Sequence, residues 1–181
     1  TSIFRCSNDD YALDSWRCDK IWPIEDKLTD DDIYYNTLLS CIEMIKTGTT
    51  TFNDMYFGCD GSIKAVLKTG VRGIVSRCLM GNMDDASLNR IKEFEELYNK
   101  YKDNPLISFN VPVHGLYTCN REYLKLCNDI SSKYNLPIHM HLSESEDEVK
   151  TVIDTYGKLP VEVLDELGYL DKKLILAHGV F

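Results

Sequence analysis

Three of the four histidines in this 181-residue sequence directly follow short apolar runs with the composition of β-strands. His114 follows Val111-Pro-Val, His141 follows Ile138-His-Met, and His178 follows Leu174-Ile-Leu-Ala. Neutral imidazole is a common metal ligand, and histidines at neighbouring strand ends can converge on one ion. A single histidine in such a place is more often structural, but three at consecutive strand ends indicate a metal site.

Two neighbours of His141 leave alternatives open. His139 shares a strand face with His141, because side chains two residues apart point the same way. It can chelate an ion together with His141 or lie behind it in the core, and we favour the core because only His141 ends the strand. Glu144 follows His141 where the strand turns into its loop, and a carboxylate there can move a proton between a metal-bound water and a leaving group. The alternative for Glu144 is an ordinary helix-capping acid.

Other polar residues accompany these histidines. Asp54 and Arg77 also fall where predicted strands end. The acids Glu146, Asp147 and Glu148 are typical of a solvated helix start, where negative charge interacts favourably with the helix dipole. The chemistry is therefore expected at strand ends, with these three acids facing water.

The elements that must position these residues alternate between β-branched runs and helical segments. Five strands separated by helices predict a parallel sheet, either open and doubly wound or closed into a barrel. The sequence lacks the glycine-rich phosphate turn of the open sheet, and polar residues at successive strand ends favour the barrel. Strands are predicted over 49–57, 71–79, 106–113, 136–142 and 174–177. Helices are predicted over 29–48, 63–69, 88–101, 121–134, 145–157 and 160–168.

Composition disfavours several classes of function. The net charge of −9 argues against nucleic acid or an anionic membrane as a partner, because both attract Lys and Arg patches. No apolar run approaches the roughly 20 residues that span a bilayer, and the first residues do not resemble a signal peptide. The seven cysteines are odd in number and never spaced as Cys-x-x-Cys. This pattern favours reduced thiols in a cytoplasmic protein.

Four motifs occur in order along the chain and together resemble the amidohydrolase superfamily. They are Gly48-Thr-Thr-Thr-Phe-Asn-Asp-Met-Tyr-Phe57, Val113-His-Gly-Leu-Tyr-Thr-Cys119, His139-Met-His-Leu-Ser-Glu144 and Leu174-Ile-Leu-Ala-His178. Within the superfamily they resemble the branch of 5′-methylthioadenosine/S-adenosylhomocysteine deaminases, guanine deaminases and triazine chlorohydrolases. The resemblance implies an α/β fold, namely a fragment of a (β/α)8 metal-dependent hydrolase barrel (a TIM barrel) covering about strands two to six.

The same resemblance implies roles for individual residues. It implies one divalent metal ion, usually zinc, with His141 as a ligand. His178 is implied to contact the metal-bound hydroxide, and Glu144 to protonate the ring nitrogen of the substrate. Substrate contacts are implied for Trp16, Glu25, Arg77, Arg90 and His114.

Two of these residues would be interpreted differently without the resemblance, and Asp54 has none of the roles above. Trp16 and Glu25 lie in Ala12-Leu-Asp-Ser-Trp16 and Ile21-Trp-Pro-Ile-Glu25, and from the residues alone we would assign them to the core and the surface. Asp54 is predicted to support the site from behind or to be purely structural. The implied stacking role of Trp16 and ribose-binding role of Glu25 therefore rest on the resemblance.

The resemblance also implies that the chain holds only the middle of the site. The family's first-strand His-x-His would lie before Thr1, and its eighth-strand Asp would lie after Phe181. We therefore expect residues 1–181 to form one partial barrel domain, truncated at both ends, without the flanking β-sandwich, and inactive alone.

The complete protein is expected to deaminate an adenosine-type nucleoside by hydrolysis, releasing ammonia. Its expected partner is a small purine nucleoside or base, with no nucleic acid or membrane involved, and assembly as a homo-oligomer stays open. Alternatives are a deaminase of a free base such as guanine, a triazine-type chlorohydrolase, or a non-enzymatic βα domain that binds a small ligand.

Overall fold

A computed structural model describes residues 2–5 and 16–181, which fall into two compact units. Unit 1 holds the described residues up to Asp54 together with Gly58–Val75 and Asn104–Ile107; unit 2 holds Met55–Phe57, Ser76–Asp103 and Ser108–Phe181. Cys6, the side chain of Cys18 and residues 12–15 of the motif before Trp16 lie outside the described residues. No helix within the described ranges is long and apolar enough to cross a membrane.

The helices of unit 1 begin and end at local sequence signals. A 3-10 turn (Ser2–Phe4) and a π-helical turn (Trp16–Ile21) precede the short helix α1 (Trp22–Glu25). Helix α2 (Asp30–Thr47) begins at the predicted capping box, in which the Asp32 N–H donates to Thr29 Oγ1 at 3.2 Å and the Thr29 N–H donates to the Asp32 carboxylate at 2.9 Å. Gly48 ends α2 in the left-handed conformation, with φ of 88°.

Helix α3 (Cys59–Thr69) begins four residues before the predicted start at Ile63. Gly58 and Gly61 concealed this start, because glycine is a poor helix former. Gly61 is required by packing instead: a Cβ there would lie 2.7 Å from the Asp30 carbonyl oxygen and 2.9 Å from the Tyr34 nitrogen. Close approach of α2 to α3 thus explains a glycine that the local pattern does not.

Within residues 2–5 and 16–181, six strands form two three-stranded sheets. Strands β1 (Thr51–Tyr56), β2 (Arg72–Arg77) and β3 (Ile107–Ser108) form one, in that order. Strands β4 (Val111–Val113), β5 (Ile138–Leu142) and β6 (Leu174–His178) form the other, with β5 parallel to both neighbours. In unit 2, Leu79 also makes a parallel bridge to Val113.

The predicted strand over 106–113 is wrong as a single element, because it breaks between β3 and β4. The Asn110 N–H donates to the Ser76 hydroxyl at 3.2 Å instead of joining a strand ladder. Asn110 is fully buried, so its backbone donor needs a partner within the protein. A side chain 34 residues away therefore decides where this strand is interrupted.

Helices of unit 2 follow the strands as the sequence predicts. They are α4 (Asp85–Tyr101), α5 (Arg121–Tyr134), α6 (Glu146–Tyr156) and α7 (Pro160–Glu166), with a 3-10 turn at Leu116–Thr118. The α5 bounds match the prediction, and Ser145 and Gly157 flank α6 as expected. Among the largest fully buried side chains of this unit are Tyr123, Tyr169 and Phe94.

Tyr169 fixes the connection that leads into β6. Its hydroxyl donates to the Leu124 carbonyl oxygen in α5 at 2.7 Å, and burial raises the pKa of its phenol well above the ordinary value. A buried hydroxyl needs such a partner because no water reaches it. This bond therefore helps to hold the segment before His178 against α5.

The Tyr169→Phe variant should lower the free energy of unfolding by about 1 kcal/mol, because it removes one buried hydrogen bond while keeping the ring. Urea denaturation followed by circular dichroism measures this change. Tyr35→Phe, at a side chain 65% exposed, is the matched control and should change stability by less than about 0.5 kcal/mol. Equal stability of both variants would contradict the structural role of the Tyr169 hydroxyl.

Candidate active site

The parallel register of β4, β5 and β6 brings three histidines of unit 2 to one edge of the sheet. His114 directly follows β4, His141 lies near the end of β5 opposite Ala177, and His178 is the last residue of β6. The ring centroids are 5.1 Å apart for His114 and His141, and 5.4 Å apart for His141 and His178. Carboxyl ends of parallel strands are where βα folds place their chemistry.

His141 is held by a backbone carbonyl in a single orientation. Its Nδ1 lies 2.7 Å from the carbonyl oxygen of His114, and its own N–H donates to the same oxygen at 3.2 Å. A carbonyl oxygen only accepts, so Nδ1 carries a proton, and in the neutral tautomer of this ring Nε2 carries the lone pair. This is the arrangement by which a metal-binding imidazole is usually oriented.

His139 lies behind this cluster, as we favoured. Its side chain is buried, and its ring centroid is 6.2 Å from that of His141. Burial, reinforced by the neighbouring His141 and His178, lowers the pKa of His139 to about 4. The imidazole of His139 is therefore neutral at physiological pH.

Glu144 is paired with His178 and does not cap the following helix. Its Oε1 lies 3.3 Å from His178 Nε2, with 23% of the Glu144 side chain and 35% of the His178 side chain exposed. The cap of α6 is Ser145, whose hydroxyl accepts from the Glu148 N–H at 3.2 Å. His178 itself has a left-handed φ of 78°, an uncommon conformation for a non-glycine residue.

The interpretation of Glu148 as a solvated acid is wrong. Its side chain is 6% exposed, and its carboxylate accepts the N–H groups of Ser143 at 3.0 Å and Glu144 at 2.7 Å. Glu146 and Asp147 are exposed, as predicted. The spacing Ser145-x-x-Glu148 is that of a capping box and indicates a side chain that bends back towards the start of its helix. The carboxylate does bend back, but it bonds the N–H groups of Ser143 and Glu144 and not that of the N-cap residue Ser145.

The two candidate arginines of unit 2 are held by protein groups. The Nε of Arg77 donates to the Glu93 carboxylate, and its guanidinium carbon lies 5.3 Å from the Phe57 ring centroid. Among the described residues, nothing hydrogen-bonds to the buried Nη1 of Arg77. Arg90 donates through Nη1 to the Met80 carbonyl oxygen at 3.0 Å. Neither contact involves the histidine cluster.

Three further candidates belong to unit 1. Trp16 is half-buried at the start of the π-helical turn, and Glu25 is partly exposed at the end of α1. Asp54 accepts from the Ser62 hydroxyl at 2.8 Å, and burial raises the pKa of its carboxyl. This hydrogen bond within unit 1 gives Asp54 a structural partner.

The donor chemistry at His141 fits a metal ion, although the described part of the chain offers no complete site. Within residues 2–5 and 16–181, no group of three or more His, Cys, Asp or Glu side chains is arranged to hold an ion. The Nδ1 proton of His141 is nevertheless fixed on a carbonyl, which leaves Nε2 as an imidazole nitrogen able to bind zinc. An ion at this position would need further ligands from elsewhere in the protein.

The repeated βα units, with polar side chains at the carboxyl ends of their strands, define the chain as part of a βα-barrel protein. The sequence model of the amidohydrolase family matches residues 4–181, and the chain belongs to this family. An adenosine deaminase structure from Xanthomonas campestris with bound zinc superposes on 93% of this chain and 39% of its own, with 28% identity and a TM-score of 0.86. The predicted barrel architecture is thereby confirmed.

Curated relatives match almost the whole sequence. A 5′-deoxyadenosine deaminase of Methanococcus aeolicus is 40% identical over 99% of this chain and 43% of its own length. A 5-methylthioadenosine/S-adenosylhomocysteine deaminase of Desulfitobacterium hafniense is 40% identical over 99% of this chain and 42% of its own. The chain thus spans less than half the length of these relatives. A guanine deaminase structure from C. acetobutylicum, at 23% identity and a TM-score of 0.81, shares the fold.

Ser143, whose φ is 53°, offers a test of the turn that carries Glu144. Ser143→Gly should keep or raise the free energy of unfolding, because glycine adopts this conformation without penalty, whereas Ser143→Val should lower it by about 1–3 kcal/mol. Chemical denaturation of both variants measures the difference. At Lys150, an exposed position inside α6, the order should reverse, because glycine is the poorer helix former. A valine at position 143 as stable as glycine would rule out the left-handed turn.

Proposed function

We propose that the complete protein carrying this chain is a metal-dependent hydrolase that deaminates an adenosine-type nucleoside and releases ammonia. The observation that carries this proposal is the convergence of His141, with Nε2 as an oriented donor, and the Glu144–His178 pair at one sheet edge. The names of the 40% identical relatives support methylthioadenosine, S-adenosylhomocysteine or 5′-deoxyadenosine as the substrate class. Residues 1–181 would then be the middle of a barrel whose other strands complete the site.

Zinc is the proposed metal, since the Xanthomonas relative was crystallised with it. A bound zinc ion supplies hydroxide near neutral pH by lowering the pKa of its water. His141 would hold the ion through Nε2. The carbonyl of His114 keeps the imidazole ring from rotating away.

Glu144 is the proposed proton carrier. Addition to the amino-bearing carbon of a purine places electron density on the adjacent ring nitrogen, which a nearby carboxylic acid can protonate. The resulting carboxylate can then take the proton of the hydroxyl group added to the carbon and pass it to the departing amine, so that the products are the hydroxypurine and ammonia. His178 Nε2, 3.3 Å from Oε1, would keep the Glu144 carboxylate in place beside the ring nitrogen next to the reacting carbon.

The remaining candidates are proposed substrate contacts. The His114 ring is oriented by its Nδ1, 2.9 Å from the Thr118 hydroxyl, and the buried Nη1 of Arg77 is a donor suited to a ligand acceptor. Arg90 is proposed as the second substrate arginine. Trp16 is proposed to stack on the base and Glu25 to bind the ribose diol, both on the motif resemblance alone.

A cytoplasmic location is part of the proposal. Cys41, Cys59, Cys78, Cys119 and Cys127 all carry buried, reduced thiols. Burial raises the pKa of Cys119 and Cys127, which makes these thiols poor nucleophiles. They are suited to a reducing compartment and take no part in the proposed chemistry.

In the complete protein, Glu144→Gln should lower kcat for ammonia release by about 10²–10⁴-fold while zinc content is unchanged, because the amide cannot carry the proton. His141→Gln should instead lower the zinc content measured by elemental analysis. Glu146→Gln, which neutralises an exposed acid two residues away, is the control and should behave as wild type. An active Glu144→Gln variant, or a wild-type protein that releases no ammonia from any adenosine-type nucleoside, would refute the assignment.

Glu25 separates a nucleoside substrate from a free base. Glu25→Gln should raise KM for the nucleoside by about 10-fold or more, because a charged acceptor for the ribose hydroxyls is lost, and should leave any turnover of the free base unchanged. Steady-state kinetics on a nucleoside and its base provide the measurement, with the exposed neighbour Asp26→Asn as control. Unchanged nucleoside kinetics in Glu25→Gln would favour a free-base deaminase.

A further inference from the structure

We infer that Glu148 is a positioning residue that fixes Glu144 and the segment following His178 in one arrangement. The inference rests on the proposed function, in which Glu144 carries the proton. Glu148 lies outside the histidine cluster, in the first turn of α6. It would act only through the backbone that it holds.

Each oxygen of the Glu148 carboxylate accepts one of two consecutive backbone N–H groups. Oε1 accepts the Ser143 N–H at 3.0 Å, and Oε2 accepts the Glu144 N–H at 2.7 Å. Hydrogen bonds to an ionised acceptor are about twice as strong as neutral ones. Both N–H groups belong to the turn that carries Glu144, so Glu148 determines where the Glu144 backbone lies.

The Ser143 peptide extends this anchor to the neighbouring strand. The Ser143 carbonyl oxygen accepts the N–H groups of Val180 at 3.0 Å and Phe181 at 3.3 Å, while the Leu142 carbonyl oxygen accepts the Gly179 N–H at 2.8 Å. The segment after His178 is thereby attached to the same turn that Glu148 holds. One carboxylate therefore supports both partners of the Glu144–His178 contact.

Helix capping does not explain why this acid is buried. Ser145 already caps α6, and the exposed Glu146 and Asp147 already place negative charge at its N-terminus. An acid that served only the helix dipole would stay in water, because burying a carboxylate is unfavourable unless it is hydrogen-bonded. Glu148 is 6% exposed, and its two bonds to the turn compensate for that burial.

Loss of this anchor should reduce catalysis more than binding. The Oε1 to Nε2 distance of 3.3 Å between Glu144 and His178 depends on the backbone of both residues. A displacement of about 1 Å at a reacting group can lower a rate by roughly 100-fold. The other proposed substrate contacts come from residues that Glu148 does not hold, and they should be retained.

The decisive variant is Glu148→Gln in the complete, zinc-loaded protein, because it keeps the size of the side chain and replaces one acceptor oxygen with a donor. We expect faster hydrogen exchange at the amides of residues 143 and 144. We also expect kcat per zinc-loaded site to fall about 10–100-fold, with KM changed less than about 3-fold. The matched control Glu146→Gln removes the same charge from the same helical turn and should change neither measurement.

Glu148→Asp provides a second variant in case Glu148→Gln folds poorly. It keeps the charge and both acceptors but withdraws them by one methylene, so its loss of kcat should lie between those of Glu146→Gln and Glu148→Gln. Wild-type kinetics and exchange in either Glu148 variant would overturn the inference. If the wild-type protein lacks deaminase activity, the proposed function fails, and the exchange at residues 143 and 144 still tests the anchor by itself.

Discussion

The parallel register of β5 with its two neighbours is the constraint on which the histidine cluster depends. Ile138 pairs with Val111 on one side and with Leu174 on the other, so the three strands present corresponding residues at the same level. A slip of one residue in β5 would turn both His139 and His141 to the opposite face of the sheet. This pairing sets the level along the strands at which the three imidazoles lie.

Backbone groups and one buried acid then orient the side chains that this register brings together. The carbonyl of His114 selects the tautomer of His141, and Glu148 holds the turn that presents Glu144. Neither orienting contact comes from a side chain of the cluster itself. The donor and acceptor atoms of His141 and Glu144 that these contacts do not use therefore stay available to a ligand.

Elements defined by local signals could be predicted from the sequence, whereas features set by distant contacts could not. The capping box at Thr29 and the bounds of α5 follow from neighbouring residues. The break at Asn110 is set by the hydroxyl of Ser76, which lies far away in the sequence. At the site, the strand-end positions of His141 and His178 followed from the short apolar runs that precede them. The burial of Glu148 did not, because an acid among acids at a helix start has the composition of a solvated turn.

The Ser143 peptide restricts how two neighbouring loops can move. Its N–H is bonded to the helix that follows it, and its oxygen is bonded to the segment beyond His178. Two loops that belong to different βα units are thus joined into one body at this peptide. Any movement that opens the histidine cluster to a ligand must carry Glu144 and His178 along together, or else occur away from this pair. The loops that this peptide does not join are free of that constraint, so we expect them to tolerate insertions more readily.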